Sequence, residues 1–165
     1  TQLGIVLDYD GNRSRYRDIP LPGFAYRFWT YAHQVRVAIG FPYTSIEFHP
    51  NKDTVFEATF SEPDDYHISI AWEFIPQWSA FATVGRSIDS FYLNSLKNSD
   101  DRLFFQQRRA EAGVQYAPNE FLQFRLGAGY AWDQEFGVGF SNSNTDLRAD
   151  ISDEPFIRLG MSWRY

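Results

Sequence analysis

The chain has 165 residues, a length sufficient for one domain or one small barrel, and its net charge is -6. The negative charge argues against a nucleic-acid partner, because phosphate binding needs a basic surface. The absence of cysteine excludes a disulfide scaffold and a thiolate metal site. A membrane-spanning helix needs about 20 apolar residues in a row, whereas the best uncharged stretch, Phe74 to Gly85, is shorter and contains Pro76.

Apolar and polar residues alternate along nearly the whole chain, which predicts half-buried β-strands. In the stretch from Gln34 to Phe48 the apolar residues switch from odd to even positions around Pro42. A bulge or break is expected there, because proline has no N–H to donate to the sheet. Another, from Asp101 to Gly113, contains good helix formers and is assigned as a strand because its neighbours are strands. The nine predicted strands are Leu3 to Asp8, Phe24 to Thr30, Gln34 to Phe48, Thr54 to Phe60, Tyr66 to Phe74, Trp78 to Asp89, Phe104 to Tyr116, Leu122 to Asp133 and Ile157 to Tyr165.

The connections between these strands are of two alternating kinds. Three are tight and contain proline, namely His49 to Asp53, Ile75 to Trp78 and Ala117 to Glu120. Three are polar and lengthen along the chain, namely Ser61 to Asp65, Ser90 to Leu103 and Gly137 to Glu154. Short turns on one rim and long loops on the other are typical of outer-membrane barrels, with the turns in the periplasm.

The aromatic content supports the same architecture. Aromatic residues make up 19% of the chain, although its mean hydropathy is only -0.42. Barrels in the outer membrane combine a lipid-facing and a lumen-facing set of side chains with aromatic girdles at both interfaces. We therefore expect one all-β domain spanning residues 1–165, an antiparallel up-and-down transmembrane β-barrel in the outer membrane of a Gram-negative bacterium.

The strand count predicts that this barrel is incomplete. Counted from the Pro50 turn, the first of nine strands runs down into the periplasm, whereas bacterial barrels usually have an even number of strands. At least one strand before Thr1 is then missing, and the complete barrel has ten to twelve. The alternative is a miscount around Arg13 to Gly23, where Pro20 and Pro22 obscure the pattern.

The charged residues on the lumen-facing parity suggest how the barrel is filled. Counting upward from the turns at about 3.3 Å per residue places four of them at similar depth: Glu57, Glu111, Arg125 and Arg158. We expect Glu111 to pair with Arg125, with Arg158 close by, because an unpaired charge in the interior is costly. Such a network would plug a narrow barrel. The alternative is a small selective channel.

Two arginines fall on the parity assigned to lipid. Arg86 and Arg108 lie on consecutive strands at the height of the outer interface, where a lipid-facing arginine costs only about 0 to 1 kcal/mol. The phosphates of lipopolysaccharide suit the guanidinium fork, so the pair predicts a lipid or anion contact. The alternative is that a bulge turns one of the two into the lumen.

Catalysis has little support in the sequence. His67 and Ser69 share a face, as a general base and a hydroxyl nucleophile would, but same-face neighbours on a strand lie about 7 Å apart. The three histidines are too scattered for a recognisable metal site. We therefore expect no catalytic residue, cofactor or metal, and keep a lipid-modifying membrane enzyme as a second alternative.

The last eight residues, Arg-Leu-Gly-Met-Ser-Trp-Arg-Tyr, resemble the C-terminal insertion signal of bacterial outer-membrane proteins. Arg158 takes the polar position, Gly160 the glycine, and Trp163 and Tyr165 the two aromatic positions. The resemblance implies that the barrel-assembly machinery is a partner during insertion. The terminal Tyr departs from the commoner Phe.

A second resemblance covers Pro20 to the end of the chain. The runs Pro22 to Arg27 and Gly40 to Tyr43 are similar to a family of uncharacterised bacterial outer-membrane barrels, which implies the fold and no activity. The function expected from the sequence is a structural or anchoring component of the envelope, within a larger protein assembly and in contact with lipopolysaccharide.

Overall fold

A computed structural model of the chain describes residues 1–8, 21–29, 34–41, 43–61, 64–92, 101–141 and 144–163. These residues form eleven strands of a single antiparallel sheet and include no helix. No helix among them could therefore cross a membrane. The predicted all-β, up-and-down architecture is confirmed.

The strands follow one another along the chain, including a strand in the segment of helix formers. Their bounds are β1 Gln2–Asp8, β2 Leu21–Trp29, β3 Val35–Phe41, β4 Tyr43–Asn51, β5 Thr54–Ser61, β6 Asp65–Ile75, β7 Trp78–Tyr92, β8 Arg102–Tyr116, β9 Leu122–Ser141, β10 Asn144–Ile151 and β11 Glu154–Trp163.

The eleven strands occupy ten positions side by side across the sheet, and we call each such position a lane. Each strand from β1 to β9 pairs with the next one in the chain. β10 pairs with the C-terminal half of β9, and β11 pairs with its N-terminal half. β10 and β11 therefore form one lane, interrupted at Ser152 and Asp153.

The prediction of one strand from Gln34 to Phe48 is wrong, because the chain reverses there and forms a hairpin. Val35 pairs with Phe48 and Ala38 with Ser45. The change of parity in the sequence thus marks a turn between two strands and not a bulge within one. Pro42 itself lies outside the described residues.

This hairpin also changes the direction assigned to the first strand. β1 starts at the rim that holds the β4–β5, β6–β7 and β8–β9 turns, which we call the turn rim, and runs away from it. The last strand, β11, runs toward the same rim. Because β10 and β11 form one lane, the sheet has ten lanes, and the premise of nine strands with a first strand running toward the turn rim does not hold.

The predicted loop from Gly137 to Glu154 is the other error. β9 continues to Ser141, and β10 returns beside it from Asn144. At Asp133, which has a positive φ of 50°, and Gln134, a bulge shifts the register with β8. Polar composition suggested a loop, but backbone pairing does not require an apolar face and continues through this segment.

The three predicted tight turns are confirmed. Asn51 closes the first by accepting a hydrogen bond from the Asp53 N–H, and Gln77 takes a positive φ of 73° in the second. Asn119 closes the third by accepting from the N–H groups of Phe121 and Leu122. Short side-chain amides commonly close such turns.

The register divides the side chains between two faces, because directly paired residues point the same way. One, the charged face, carries Glu47, Glu57, Glu111, Arg125 and Arg158. The other, the apolar face, carries most of the large apolar side chains and remains largely exposed. Its exposed members include Leu3, Ile5, Phe24, Ile39, Phe56, Ile68, Trp72, Leu126, Tyr130, Ile157, Leu159 and Trp163.

The two outer lanes, β1 and β11, each pair on one side only within the described residues. Their apolar side chains are the most exposed: Ile5 is 86% exposed and Ile157 81%, against 53% for Trp72 in the middle of the sheet. An open sheet edge presents unpaired backbone N–H and C=O groups to which another strand can pair. We therefore expect β1 and β11 to pair with a further strand.

Candidate functional site

Three charged residues from three neighbouring strands meet on the charged face, and we call them the charged cluster. Glu111 lies on β8, Arg125 on β9 and Arg158 on β11. Arg158 is level with Gly127 on β9, and Arg125 is level with Gly160 on β11. The sheet register therefore brings both guanidinium groups toward Glu111.

Both oxygens of Glu111 are engaged in the charged cluster. Its Oε1 accepts from Arg125 Nε at 3.2 Å, and its Oε2 lies 3.3 Å from Arg158 Nη1. The Glu111 side chain is only 1% exposed. A buried carboxylate is tolerated when its charge is paired and its oxygens accept hydrogen bonds, and here two arginines supply both.

A glycine leaves space for the charged cluster, and an aromatic ring packs against it. A Cβ on Gly127 would overlap the carboxylate of Glu111, so a larger residue there would require the Glu111 side chain to move. The Arg125 guanidinium carbon lies 3.6 Å from the centre of the Phe81 ring, a cation–π contact. Phe81 is 6% exposed and lies on the charged face.

The cluster contains three of the four residues expected from the sequence. Glu57 makes no ion pair with any described residue and lies directly across from Glu47, another acid. Glu47 is paired instead with Arg36, at 3.0 Å, and contacts His49 at 2.6 Å. Equal height above the turns did not place Glu57 near the cluster, because its strand is three lanes away from β8.

Sequence reasoning missed Phe81 and Gly127. Phe81 is an aromatic residue on the charge-bearing parity of β7, and this exception to the alternation was a signal that could have been followed. Gly127 has no comparable signal, because its role depends on the side chain of Glu111 on the neighbouring strand.

Arg86 and Arg108 are direct cross-strand partners and share the face that carries Val84 and Ala110. Arg108 Nη1 lies 2.8 Å from Asp133 Oδ2, and Arg86 Nη2 donates to Gln106 Oε1 at 3.2 Å. A bulge occurs nearby on β9, but neither arginine is turned onto the charged face.

The two arginines line a cavity of about 440 Å³ that is rich in acids. Four carboxylates share the lining with the two guanidinium groups, those of Asp133, Glu135, Asp150 and Asp153. This surplus of negative charge does not favour the bare phosphate of lipopolysaccharide that the sequence suggested.

The residues of the C-terminal motif are partly described. Arg158 belongs to the charged cluster, Gly160 lies beside Arg125, and Trp163 pairs with Leu122 at the turn rim. Trp163 is 68% exposed on the apolar face. Tyr165 lies outside the described residues.

His67 and Ser69 lie on the charged face as expected, but within the described part of the chain no hydrogen bond joins them or links His67 to another group. His67 lines a cavity of about 280 Å³ with Thr59, Ser61, Ser87 and Arg109. The lining therefore brings hydroxyl groups, the carboxylate of Asp65 and a cation near His67.

No family model, curated protein or solved structure matches this chain. Any functional conclusion therefore depends on the two faces of the sheet, its two free edges and the charged cluster.

Proposed function

We propose that this chain is a transmembrane β-barrel of a bacterial outer membrane that serves as a structural or anchoring component of the envelope, with the charged cluster plugging its lumen. The observation that carries the proposal is the division of the sheet into an exposed apolar face and a charged face with a buried, doubly paired glutamate. In a water-soluble barrel the arrangement would be reversed, because the apolar side chains would fill the interior.

The height of the apolar face supports a membrane location. On β9 the apolar parity runs from Leu122 to Trp132, ten residues later, before polar Glu135 replaces it. At about 3.3 Å per residue and a tilt near 40°, this run is about 25 Å tall, the height of the apolar band in outer-membrane barrels.

Aromatic pairs at the turn rim support the same location. The ring centroids of Trp78 and Tyr116 are 4.7 Å apart, and those of Trp72 and Phe74 5.8 Å. Amphipathic rings concentrate at membrane interfaces, and these side chains fall where the periplasmic interface would lie.

The two free edges favour closure of the sheet upon itself. β1 and β11 run in opposite directions, as neighbours in an antiparallel barrel must. In both strands the odd-numbered residues are apolar (Leu3 and Ile5; Ile157, Leu159, Met161 and Trp163), whereas Gln2, Gly4, Arg158, Gly160 and Ser162 lie between them. Pairing odd with odd positions keeps each face continuous, so closure needs no change in the strands.

The charged cluster favours a plug over a channel. Barrels with about eight strands have interiors filled by side chains, and ten lanes give only slightly more space. Glu111, Arg125, Arg158 and Phe81 already pack together before β1 meets β11. Closure would confine them further. The narrow channel is the alternative that conductance measurements would reveal.

The partners follow from this location. The C-terminal motif ending in Trp163 and Tyr165 would be read by the barrel-assembly machinery, and lipopolysaccharide would form the outer leaflet around the barrel. A plugged barrel has no transport role, which favours a role as anchor within a larger envelope assembly.

Engineered disulfides provide the test of closure, because the chain has no cysteine of its own. Ile5→Cys is combined in turn with Leu159→Cys, Met161→Cys and Trp163→Cys, which sample three of the registers that keep odd residues paired. One of them should form an intramolecular disulfide in detergent-folded protein. The matched control is Gly4→Cys with the same partners, which points to the other face and should not crosslink.

The same preparation tests membrane residence. The protein should require detergent for solubility, and its gel migration should change on heating. A monodisperse monomer in water without detergent would refute the proposal. Crosslinks formed only between molecules would show that the free edges pair two copies instead of closing one barrel.

A further inference from the structure

We propose that the cavity of about 280 Å³ beside His67 binds one acidic sugar, a sugar ring that carries a carboxylate, and that Arg109 holds the carboxylate. The inference rests on the proposed function and adds a ligand class to it. It is carried by a guanidinium group without an ion pair among the described residues, placed next to hydroxyl groups that are not yet hydrogen-bonded.

The cavity lies on the charged face, at the end of the sheet away from the turn rim. One row of directly paired residues crosses it, in the order Thr59, His67, Gly85 and Arg109. Because Gly85 has no side chain, a depression opens between the imidazole ring on one side and the guanidinium group on the other.

Hydroxyl groups line the outer part of this depression. Ser61 and Ser87 lie on the same face, one row further from the turn rim than Thr59. None of these three hydroxyl groups is hydrogen-bonded to another described residue, whereas Asp65 in the same lining is already engaged in a polar contact. A hydroxyl group donates one hydrogen bond and accepts two, so the three can take the place of water around the hydroxyl groups of a sugar.

The charges around Arg109 favour an anionic ligand. Arg109 lies two residues beyond Glu111 on the same face of β8, and the other charged groups that act on it are those of Arg125, Arg158 and Asp89. Three guanidinium groups thus face two carboxylates, and Glu111 is already shared by Arg125 and Arg158. Since Arg109 makes no ion pair with any described residue, its guanidinium group can bind a carboxylate through two parallel hydrogen bonds.

The size and lining of the cavity suit a single sugar ring. Small-molecule sites typically measure about 300 to 1,000 Å³, and this cavity lies at the lower end of that range. A simple anion would use Arg109 and leave the hydroxyl groups without a ligand. A neutral sugar would use the hydroxyl groups and leave the positive charge uncompensated. A ring that carries both groups satisfies both parts of the lining.

The position of the cavity agrees with the proposed function. In the closed barrel it would open to the outside of the cell, because it lies away from the turn rim, and the charged cluster would separate it from the periplasm. A ligand would then bind there without being transported. The acidic sugar has two possible sources, a free monosaccharide and the terminal residue of a surface polysaccharide, and the second would extend the anchoring role to that polysaccharide.

Calorimetric titration of the full chain in detergent tests the inference. The probes are glucuronate, glucose and acetate, which supply both groups, the hydroxyl groups alone and the carboxylate alone. We expect one glucuronate per protein, and about tenfold weaker binding of glucose and of acetate. A methyl glycoside of glucuronate imitates the end of a polysaccharide. Binding equal to that of glucuronate indicates a terminal residue as the ligand, and loss of binding indicates the free sugar acid.

Variants separate the carboxylate contact from the hydroxyl contacts. Arg109→Gln should weaken glucuronate binding about tenfold, because a charge-assisted hydrogen bond is lost, and should leave glucose binding unchanged. Ser61→Ala with Ser87→Ala should weaken the binding of both sugars and leave acetate binding unchanged. Arg36→Gln, which removes an arginine from β3 on the same face, is the matched control and should not alter any of these affinities. Heat-modifiable migration confirms that each variant is folded.

Unchanged glucuronate binding in Arg109→Gln would overturn the site, and equal binding of acetate and glucuronate would reduce it to a simple anion contact. If the protein is a detergent-dependent, heat-modifiable barrel that binds no glucuronate, the sugar site fails while the proposed function stands. If the protein is a soluble monomer that binds glucuronate through Arg109, the proposed function fails while the site stands.

Discussion

Arg125 Nε lies 3.2 Å from Glu111 Oε1, and this contact joins the adjacent strands β8 and β9. The Glu111 carboxylate is almost completely buried. Arg158 reaches the second oxygen from the next lane. One glutamate thus connects β8, β9 and β11 through side chains as well as through the backbone. Removing this carboxylate should affect both the stability of the sheet and the filling of the proposed lumen.

The first prediction concerns stability. Glu111→Ala leaves two guanidinium groups facing each other without a counter-charge, and breaking a buried ion pair by removing one partner costs about 3 to 5 kcal/mol. Because the arginines are 32% and 43% exposed, water screens them, and we expect the lower end of that range. The measurement is the temperature of the heat-modifiable transition. Glu57→Ala is the control and should shift it little, because Glu57 lies on the same face and makes no ion pair with any described residue.

The second prediction concerns conductance. If the charged cluster plugs the lumen, the unmodified protein should give no channels in planar bilayers, and Glu111→Ala should open a small conductance. Single channels from the unmodified protein would favour the narrow channel over the anchor. Absence of conductance in both proteins would show that side chains other than Glu111 suffice to close the lumen.

The third prediction concerns the shared use of Glu111. Arg125→Ala and Arg158→Ala should each be destabilising, and the double variant should cost less than the sum of the two. Residues in one ion-pair network show coupling of about 0.5 to 3 kcal/mol. Unfolding of the single and double variants completes the cycle. Strict additivity would mean that the two arginines act independently.

The fourth prediction concerns the glycine beneath the cluster. Gly127→Ala introduces a Cβ that overlaps the Glu111 carboxylate, and overpacking of this kind costs about 1 to 3 kcal/mol. Gly4→Ala is the control, because its nearest neighbour, the Ala25 carbonyl oxygen, is 3.9 Å away. If both alanines are tolerated equally in refolding experiments, Glu111 can move aside and the cluster is not tightly packed.

The fifth prediction concerns assembly. Replacing Trp163 and Tyr165 by serine should lower the amount of protein in the outer membrane, because the recognised end and the interface anchor are both lost. Refolding into detergent, where no assembly machinery is present, should be affected less. Unchanged outer-membrane levels would mean that the C-terminal motif is a coincidence.

The sequence by itself determined the strands that alternate most regularly, the antiparallel meander and the two faces. A period of two assigns every side chain in a strand to one face, and proline-marked turns gave the directions of the later strands. These two facts were enough to place Glu111, Arg125 and Arg158 on one face at one height. They also placed Arg86 and Arg108 on the opposite face.

Only the tertiary structure decided which strands are neighbours and where the pairing continues. The reversal between β3 and β4 and the lane shared by β10 and β11 depend on pairing between distant segments, which alternation within one segment does not encode. The same reason separates Glu57 from the cluster and places Gly127 beneath Glu111. Height above a turn is a local property of one strand, whereas contact between side chains also requires adjacent lanes in the sheet.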